Sequence, residues 1–397
     1  MTVDIYWRIA MEGDAHSLRS STITRGGFGP SGYAPLDYMR EVARATEASG
    51  FVGGLMPSFP STDDPWAAAS MLASQTSAYR FMIAFQPGFL HPVAAARMSA
   101  TLQLLTGGRV VYNIISGGGG PQQLWWGDKV DHDDRYVRTA EFLDVLRGVW
   151  QPGAGFDHHG RFYRIEGGGL PEQLAAQPFP EIFFSGSSPA AIDAAGRHAD
   201  YYLSWLEPFD ALGEKFESVR EHARAHGLKP PKFAVRIDIL ARPSEDEAWA
   251  EIEAGWADAN RRAVERDGDS VGAQRARRFA DTARSRAATA PAASTAPAAS
   301  AAPAASAARA AGVTATPVAD DPSDYRALEV APGVWGGFDQ LRPGPAFGLV
   351  GSYAQVADRL DELSGLGVDA FILAGVPHLE EARRVGTHVL PLLKGRD

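Results

Sequence analysis

Arg236 and Asp238 stand two positions apart in the apolar run Phe233–Leu240. In a strand, side chains repeat every second residue, so both project from one face. A guanidinium and a carboxylate buried there are costly unless they pair with each other or serve a ligand. The pair is therefore either a structural ion pair or part of a site. Arg342, in Leu341-Arg-Pro-Gly-Pro345, is either a solvated loop arginine or a second positive charge delivered by a mobile segment. Phe184-Ser-Gly-Ser-Ser-Pro189 leaves a short apolar run and opens a helix, so Ser185, Gly186, Ser187 and Ser188 offer hydroxyls and free N–H groups to an anion such as a phosphate. The plain alternative is a serine helix cap. Other polar or aromatic residues at the ends of apolar runs are Ser61, Thr62, Gln86, Asn113, Ser116, Trp205 and Glu207.

Several chemistries are excluded. The chain has no Cys, which removes disulfides, thiolate metal sites and thiol nucleophiles. There is no GxSxG nucleophile elbow and no GxGxxG at a strand–helix junction. The ten histidines suggest no metal pattern: His158 and His159 are adjacent, and His132 belongs to a loop-like Asp131-His-Asp-Asp134.

The elements that must position these residues alternate. Apolar runs begin near residues 3, 51, 80, 109, 182, 200, 233 and 370, and helical patterns follow them. Helices are expected over Pro35–Ser49, Trp66–Gln75, Pro92–Leu105, Arg135–Trp150, Pro208–His226, Tyr353–Leu366 and Glu380–Leu393, with a Ser244/Glu247 capping box opening another. Eight β–α units imply parallel strands with crossover helices and favour an α/β (β/α)8 TIM barrel over a doubly wound sheet. Its chemistry would lie at the C-terminal strand ends.

Two stretches interrupt the alternation of this single 1–397 domain. Residues 151–180 are Gly-rich and read as an insertion after the fourth unit. Residues 285–320 read as a flexible lid or tether: from Ala287 to Ala308 every residue is Ala, Pro, Ser or Thr, with Pro291, Pro297 and Pro303 breaking any helix. With 38 Lys+Arg against 48 Asp+Glu, the formal charge of -10 argues against nucleic acid or an anionic membrane as partner. Neither a signal-peptide pattern nor an 18-residue apolar run is seen, and a cytoplasmic protein is expected.

Taken in order, Tyr112-Asn-Ile-Ile-Ser-Gly117, Asp131-His-Asp-Asp-Arg-Tyr136, Phe184-Ser-Gly-Ser-Ser188, Tyr202-Leu-Ser-Trp-Leu-Glu-Pro208, Phe233-Ala-Val-Arg-Ile-Asp238, Gln340-Leu-Arg-Pro-Gly344 and Gly375-Val-Pro-His-Leu-Glu-Glu-Ala382 resemble the bacterial luciferase family of flavin-dependent barrels. Within it they are most similar to the alkanesulfonate monooxygenases. The resemblance implies a TIM barrel taking reduced FMN as co-substrate from an NAD(P)H-dependent FMN reductase and using O2 to oxidise a small organosulfur compound. For an alkanesulfonate the products would be an aldehyde and sulfite. It also implies a homodimer or homotetramer. By position, Tyr136, Gly186, Ser187 and Ser188 would hold the FMN phosphate and Asn113 would lie beside the ring system. Phe85 would pack on the flavin through a non-proline cis peptide near Ala84–Phe85. Trp205, Arg236, Asp238, Arg342 and Thr62 would form the substrate side. Three positions depart from the sulfonate pattern: Asp238 replaces a His, Thr62 a Cys and Val376 a Tyr. These departures leave room for a sulfone or another heteroatom substrate, a deazaflavin-dependent dehydrogenase, or a non-catalytic flavin-binding barrel. Asp238 could be a general base or a salt-bridge partner that aims Arg236.

Overall fold

The computed structural model describes residues 3–11, 13–14, 34–59, 62–116, 121–153, 155–186, 188–266, 324–342 and 344–394. Eight parallel strands close into a barrel: β1 (Asp4–Arg8), β2 (Gly53–Met56), β3 (Arg80–Phe85), β4 (Val110–Ile114), β7 (Ile182–Ser185), β8 (Tyr201–Trp205), β9 (Lys232–Arg242) and β13 (Val368–Ala374). The ring closes because β9 pairs with both β8 and β13, and β13 with β1. These strands start close to the eight expected positions.

Alternation splits the apolar residues into two layers. Tyr6, Met82, Ala84, Val111, Phe183 and Leu203 fill the barrel interior. Ile5, Trp7, Ile83, Phe85, Tyr112 and Phe184 pack outward against the helices. The crossover helices include α1 (Pro35–Ala48), α2 (Pro65–Ala73) and α3 (Pro92–Thr106). A short α4 (Pro121–Trp125) precedes α5 (His132–Trp150).

The 151–180 stretch has structure of its own. A hairpin of β5 (Phe156–His159) and β6 (Arg164–Gly168) is followed by the short α6 (Glu172–Ala175). It is tied to α5 by the Glu141 carboxylate, which accepts the backbone N–H groups of Arg161, Phe162 and Tyr163 at 2.8–3.1 Å. Helices α7 (Pro189–His198), α8 (Phe209–Ala225) and α9 (Glu245–Arg266) follow strands β7, β8 and β9.

A further sheet segment was not anticipated. Strand β9 is 11 residues long and outgrows the barrel. Its outer half carries β12 (Gly348–Ser352) in parallel, with Gly348 opposite Asp238. Strands β10 (Glu329–Ala331) and β11 (Val334–Trp335) extend that ladder antiparallel. Position 348 must be glycine, because a Cβ there would meet the Asp238 carbonyl oxygen at 2.5 Å and also strike the Phe338 ring. The short α10 (Phe338–Leu341), α11 (Tyr353–Gly365) and α12 (His378–His388) complete the chain.

The last helix differs from the expected Glu380–Leu393. It opens at His378 and gives way to a 3-10 turn at Leu390–Leu392, because Pro391 supplies no N–H to continue it. The expected tether at 285–320 lies outside the described residues.

Candidate active site at the barrel mouth

Strand alternation delivers Arg236 and Asp238 to the interior face of β9, at the C-terminal end of the barrel. Both are buried, and Arg236 Nη2 lies 2.8 Å from Asp238 Oδ1. Arg236 Nη1 also donates to the Ile237 carbonyl at 2.6 Å. The β12 extension explains the third member. Arg342 follows α10, six positions before Gly348 in the strand laid on β9, and its guanidinium pairs with the same Asp238 oxygen. Two guanidiniums thus share one carboxylate, with all three side chains withdrawn from solvent. Burial pushes the Arg236 pKa down to about 10, with Asp238 opposing the shift, and Arg342 and Arg8 adding to it. Arg236 therefore stays protonated at neutral pH. Of the two roles expected for Asp238, the geometry displays the salt-bridge partner.

Arg8 and His378 join this group; the sequence placed His378 in the Gly375–Ala382 motif without a role and did not single out Arg8. Arg8 ends β1, and its Nη1 lies 3.2 Å from His378 Nε2. His378 is buried, and that burial holds it neutral, well below the usual imidazole range. The positive charges of Arg8, Arg342 and Arg236 reinforce the effect. Its backbone N–H donates to Asp14 at 2.5 Å; Asp14 also accepts from the Tyr38 hydroxyl, which in turn accepts from the Leu379 N–H at 3.2 Å. The N-terminus of α12 is thus anchored to α1. The available signal was a His at the start of a helix following the last barrel strand.

The second group lies at the β7–α7 turn. Gly186 has φ +144, and a Cβ there would meet the Tyr136 hydroxyl at 2.7 Å and the Ala191 Cβ at 2.6 Å. The Gly186 carbonyl accepts from Tyr202 Oη at 2.8 Å. Ser188 caps α7, its hydroxyl accepting from the Ala191 N–H at 3.2 Å. Tyr136, Gly186 and Ser188 are therefore neighbours, brought together from α5 and the β7–α7 turn. Ser187 and Ser61 lie outside the described residues. Asn113 is on the interior face of β4, beside Ala84 and Phe183 in the ladder. It is buried, and its Oδ1 has no hydrogen-bond partner. An orphaned buried acceptor is costly, and a ligand N–H can repay it. Trp205, opposite Arg236 in the ladder, is 55% exposed at the rim.

Two expected residues point elsewhere. Phe85 projects into the helix layer, its ring 5.3–5.9 Å from those of Trp66, Tyr112 and Phe142. Its neighbour Ala84 takes the interior position, because adjacent strand residues face opposite ways. The cis peptide expected near Ala84–Phe85 is not formed; among the described residues the cis bond is Val376–Pro377. Regular pairing of Ala84 with Asn113 and of Phe85 with Ile114 leaves the β3 backbone an ordinary strand. Thr62 is turned onto its own loop, accepting from the Phe59 N–H at 2.9 Å and donating to the Phe59 carbonyl at 3.0 Å.

The comparisons with known proteins agree with this architecture. The family model described as luciferase-like monooxygenase matches residues 17–370. A solved riboflavin lyase with modified FMN and the substrate riboflavin superposes with a TM-score of 0.69 at 20% identity, covering 100% of this chain and 92% of that one. An EDTA monooxygenase from Chelativorans sp. BNC1 gives 0.67 at 18% identity, covering 100% and 94%. A long-chain alkane monooxygenase gives 0.70 at 18% identity, covering 100% and 92%. At these identities the likeness to solved structures concerns the fold.

Proposed function

Because the chain belongs to the luciferase-like monooxygenase family, we propose that it is a two-component monooxygenase. It takes reduced FMN from an NAD(P)H-dependent flavin reductase and oxidises a small organosulfur anion, most simply desulfonating an alkanesulfonate to an aldehyde and sulfite. Reduced FMN, when bound, supplies the two electrons that let dioxygen place one oxygen atom in the substrate and release the other as water. The residues present fit that group. Gly186 leaves open a cradle that any Cβ would fill, and Tyr136 and Ser188 border it with hydroxyls. Asn113 Oδ1 supplies the acceptor still lacking a donor.

The observation that carries the substrate side is the sharing of Asp238 by Arg236 and Arg342. Arg236, Arg342 and Asp238 together carry one net positive charge, and Arg8 adds to it, which favours an anion. A sulfonate arriving there gains charge-assisted hydrogen bonds from donors already oriented by Asp238. Asp238 in this reading is a positioning residue, and Trp205 shields the rim. His378, held neutral, accepts from Arg8 Nη1 at 3.2 Å and helps hold that guanidinium in place. Subunit association as a homodimer or homotetramer belongs to the same proposal. It is supported by the exposed Leu104 and Leu105 on α3. No helix among the described residues is long and apolar enough to cross a membrane.

The test is a coupled assay with FMN, NADH, a flavin reductase and a panel of alkanesulfonates and dialkylsulfones. Sulfite release that requires both this protein and a sulfonate supports the proposal. Oxygen uptake without sulfite on every sulfonate removes the substrate assignment. Tight binding of a reduced deazaflavin, with none of FMNH2, removes the monooxygenase assignment.

A further inference from the structure

We propose that the outer surface carries a divalent transition-metal site, of the kind that takes Zn2+, formed by Asp193, His222 and His226. It joins α7 to α8 on the helical layer, away from the barrel mouth. One ligand atom from each residue lies within 4.8 Å of the others. His222 is in the last turn of α8 and His226 is its C-cap residue, so the two are spaced i, i+4 and share one face. Their rings stack with centroids 4.2 Å apart and planes inclined by 29°. Asp193 comes from α7, the helix that Ser188 caps.

Three details favour an ion over a simple polar cluster. First, His222 Nε2 is buried and has no hydrogen-bond partner. It lies 3.7 Å from Asp193 Oδ1, too far for a hydrogen bond. Two ligand atoms each about 2.0–2.1 Å from a tetrahedral Zn2+ stand roughly 3.3 Å apart, so a small closure brings this pair into bonding position. Second, His226 Nδ1 lies 2.9 Å from the His222 carbonyl. A carbonyl only accepts, so Nδ1 carries the proton and Nε2 keeps its lone pair. Metal-binding histidines typically make this same second hydrogen bond. Third, the Asp193 carboxylate is divided. Oδ2 pairs with Arg197, while Oδ1 faces His222.

Two imidazoles and one carboxylate make a borderline donor set, which suits Zn2+, Ni2+ or Cu2+ and disfavours Ca2+ and Mg2+, which prefer all-oxygen sites. Water would complete the shell on the exposed His226 side. No metal pattern was expected among the histidines: the i, i+4 spacing of His222 and His226 supplies two ligands, but the carboxylate stands on another helix, and only the packing of α7 on α8 brings it to them. The site's consequence is mechanical: an ion there clips α7 to its neighbour.

The test uses the full-length protein freed of metal by a chelator, titrated with Zn2+ against a chromophoric competitor. The expected result is one tight equivalent per chain, absent from a His222→Ala/His226→Ala double variant and weakened about 10–100-fold by Asp193→Asn. Arg197→Ala should tighten binding about two- to fivefold, because it removes a competing cation from Asp193. Zn2+ should raise the melting temperature of the wild type and not that of the double variant, whose circular dichroism should match the wild type. Equal Zn2+ uptake by wild type and double variant overturns the proposal, as does unchanged affinity in Asp193→Asn. Flavin-dependent activity is not the readout, so failure here leaves the oxygenase reading untouched.

Discussion

The two ends of the barrel use charge in opposite ways. At the floor, Arg80 pairs with Glu181 and donates to Tyr6 Oη at 3.1 Å, while Lys232 Nζ donates to Tyr201 Oη at 3.3 Å and lies 5.0 Å from that ring's centroid. Tyr201 in turn stacks on Phe183 at 4.2 Å. Each cation there has its own local acceptor. At the mouth, two deeply buried arginines divide one Asp238, Asn113 Oδ1 has no partner, and the Trp205 ring is exposed. Floor charges are internally satisfied and reinforce the fold; mouth charges are left in surplus. Buried polar groups without full partners cost stability, and such a cost persists where a ligand makes use of it.

The contrast can be broken or sharpened by substitution. The largest effect is expected from Arg236→Met. It should lower kcat/KM for a sulfonate by about 10²–10³-fold, as loss of a preorganised donor does. Removing one member of a buried ion pair should also cost several kcal/mol, about 3–5. Asp238 keeps Arg342, so the loss should fall at the low end of that range. Steady-state kinetics and urea denaturation separate the two effects, and unchanged kinetics would place the substrate elsewhere.

Gly186→Ala should come next. A Cβ crowding Tyr136 and Ala191 at φ +144 should cost about 1–3 kcal/mol and raise the KM for reduced FMN while leaving kcat at saturating flavin nearly unchanged. A rise in sulfonate KM with flavin KM constant would contradict the assignment of the β7–α7 turn.

Acid sensitivity tests the buried histidines. His198 is pushed down to about 4 by burial, with Asp144 opposing the shift, and His378 is also held low. In both, folding favours the neutral ring, so the unfolded chain binds more protons below its own pKa of about 6.5. Stability is therefore intact above that pH and falls as pH drops from about 6.5 toward 4. His198→Gln should flatten the curve of melting temperature against pH in that window. A His378→Gln variant that flattened it equally but kept full activity would make His378 a structural residue only.

The smallest effect belongs to the floor. Arg80→Ala should lower stability by about 1 kcal/mol or less, because the Arg80–Glu181 pair is partly exposed. It should leave sulfonate kinetics unchanged; a kinetic defect from this end would undo the division between the two ends.

Much of the frame was legible locally. Each barrel strand is a short apolar run bounded by turn residues, and the period of two alone put Arg236 and Asp238 on one face. The same period, applied to β3, could have shown that Phe85 opposes Ala84 and so cannot share its interior face. Strands β10–β12 escaped notice because they are two to five residues long and have no crossover helix between them. The turn of Thr62 onto its own loop was not legible, because a hydroxyl at a strand end can bond its own loop as readily as a ligand.

By itself, the sequence determined the alternation of strands and helices, the side-chain faces along each strand and the i, i+4 spacing of His222 and His226. Those are consequences of local geometry, repeated every two or 3.6 residues. Only the closed barrel decided which distant residues meet: Arg342 with Asp238, His378 with Arg8 and Asp14, Asp193 with the His222 edge. Such encounters depend on the register in which whole strands and helices pack, and that register is an energetic property of the complete core.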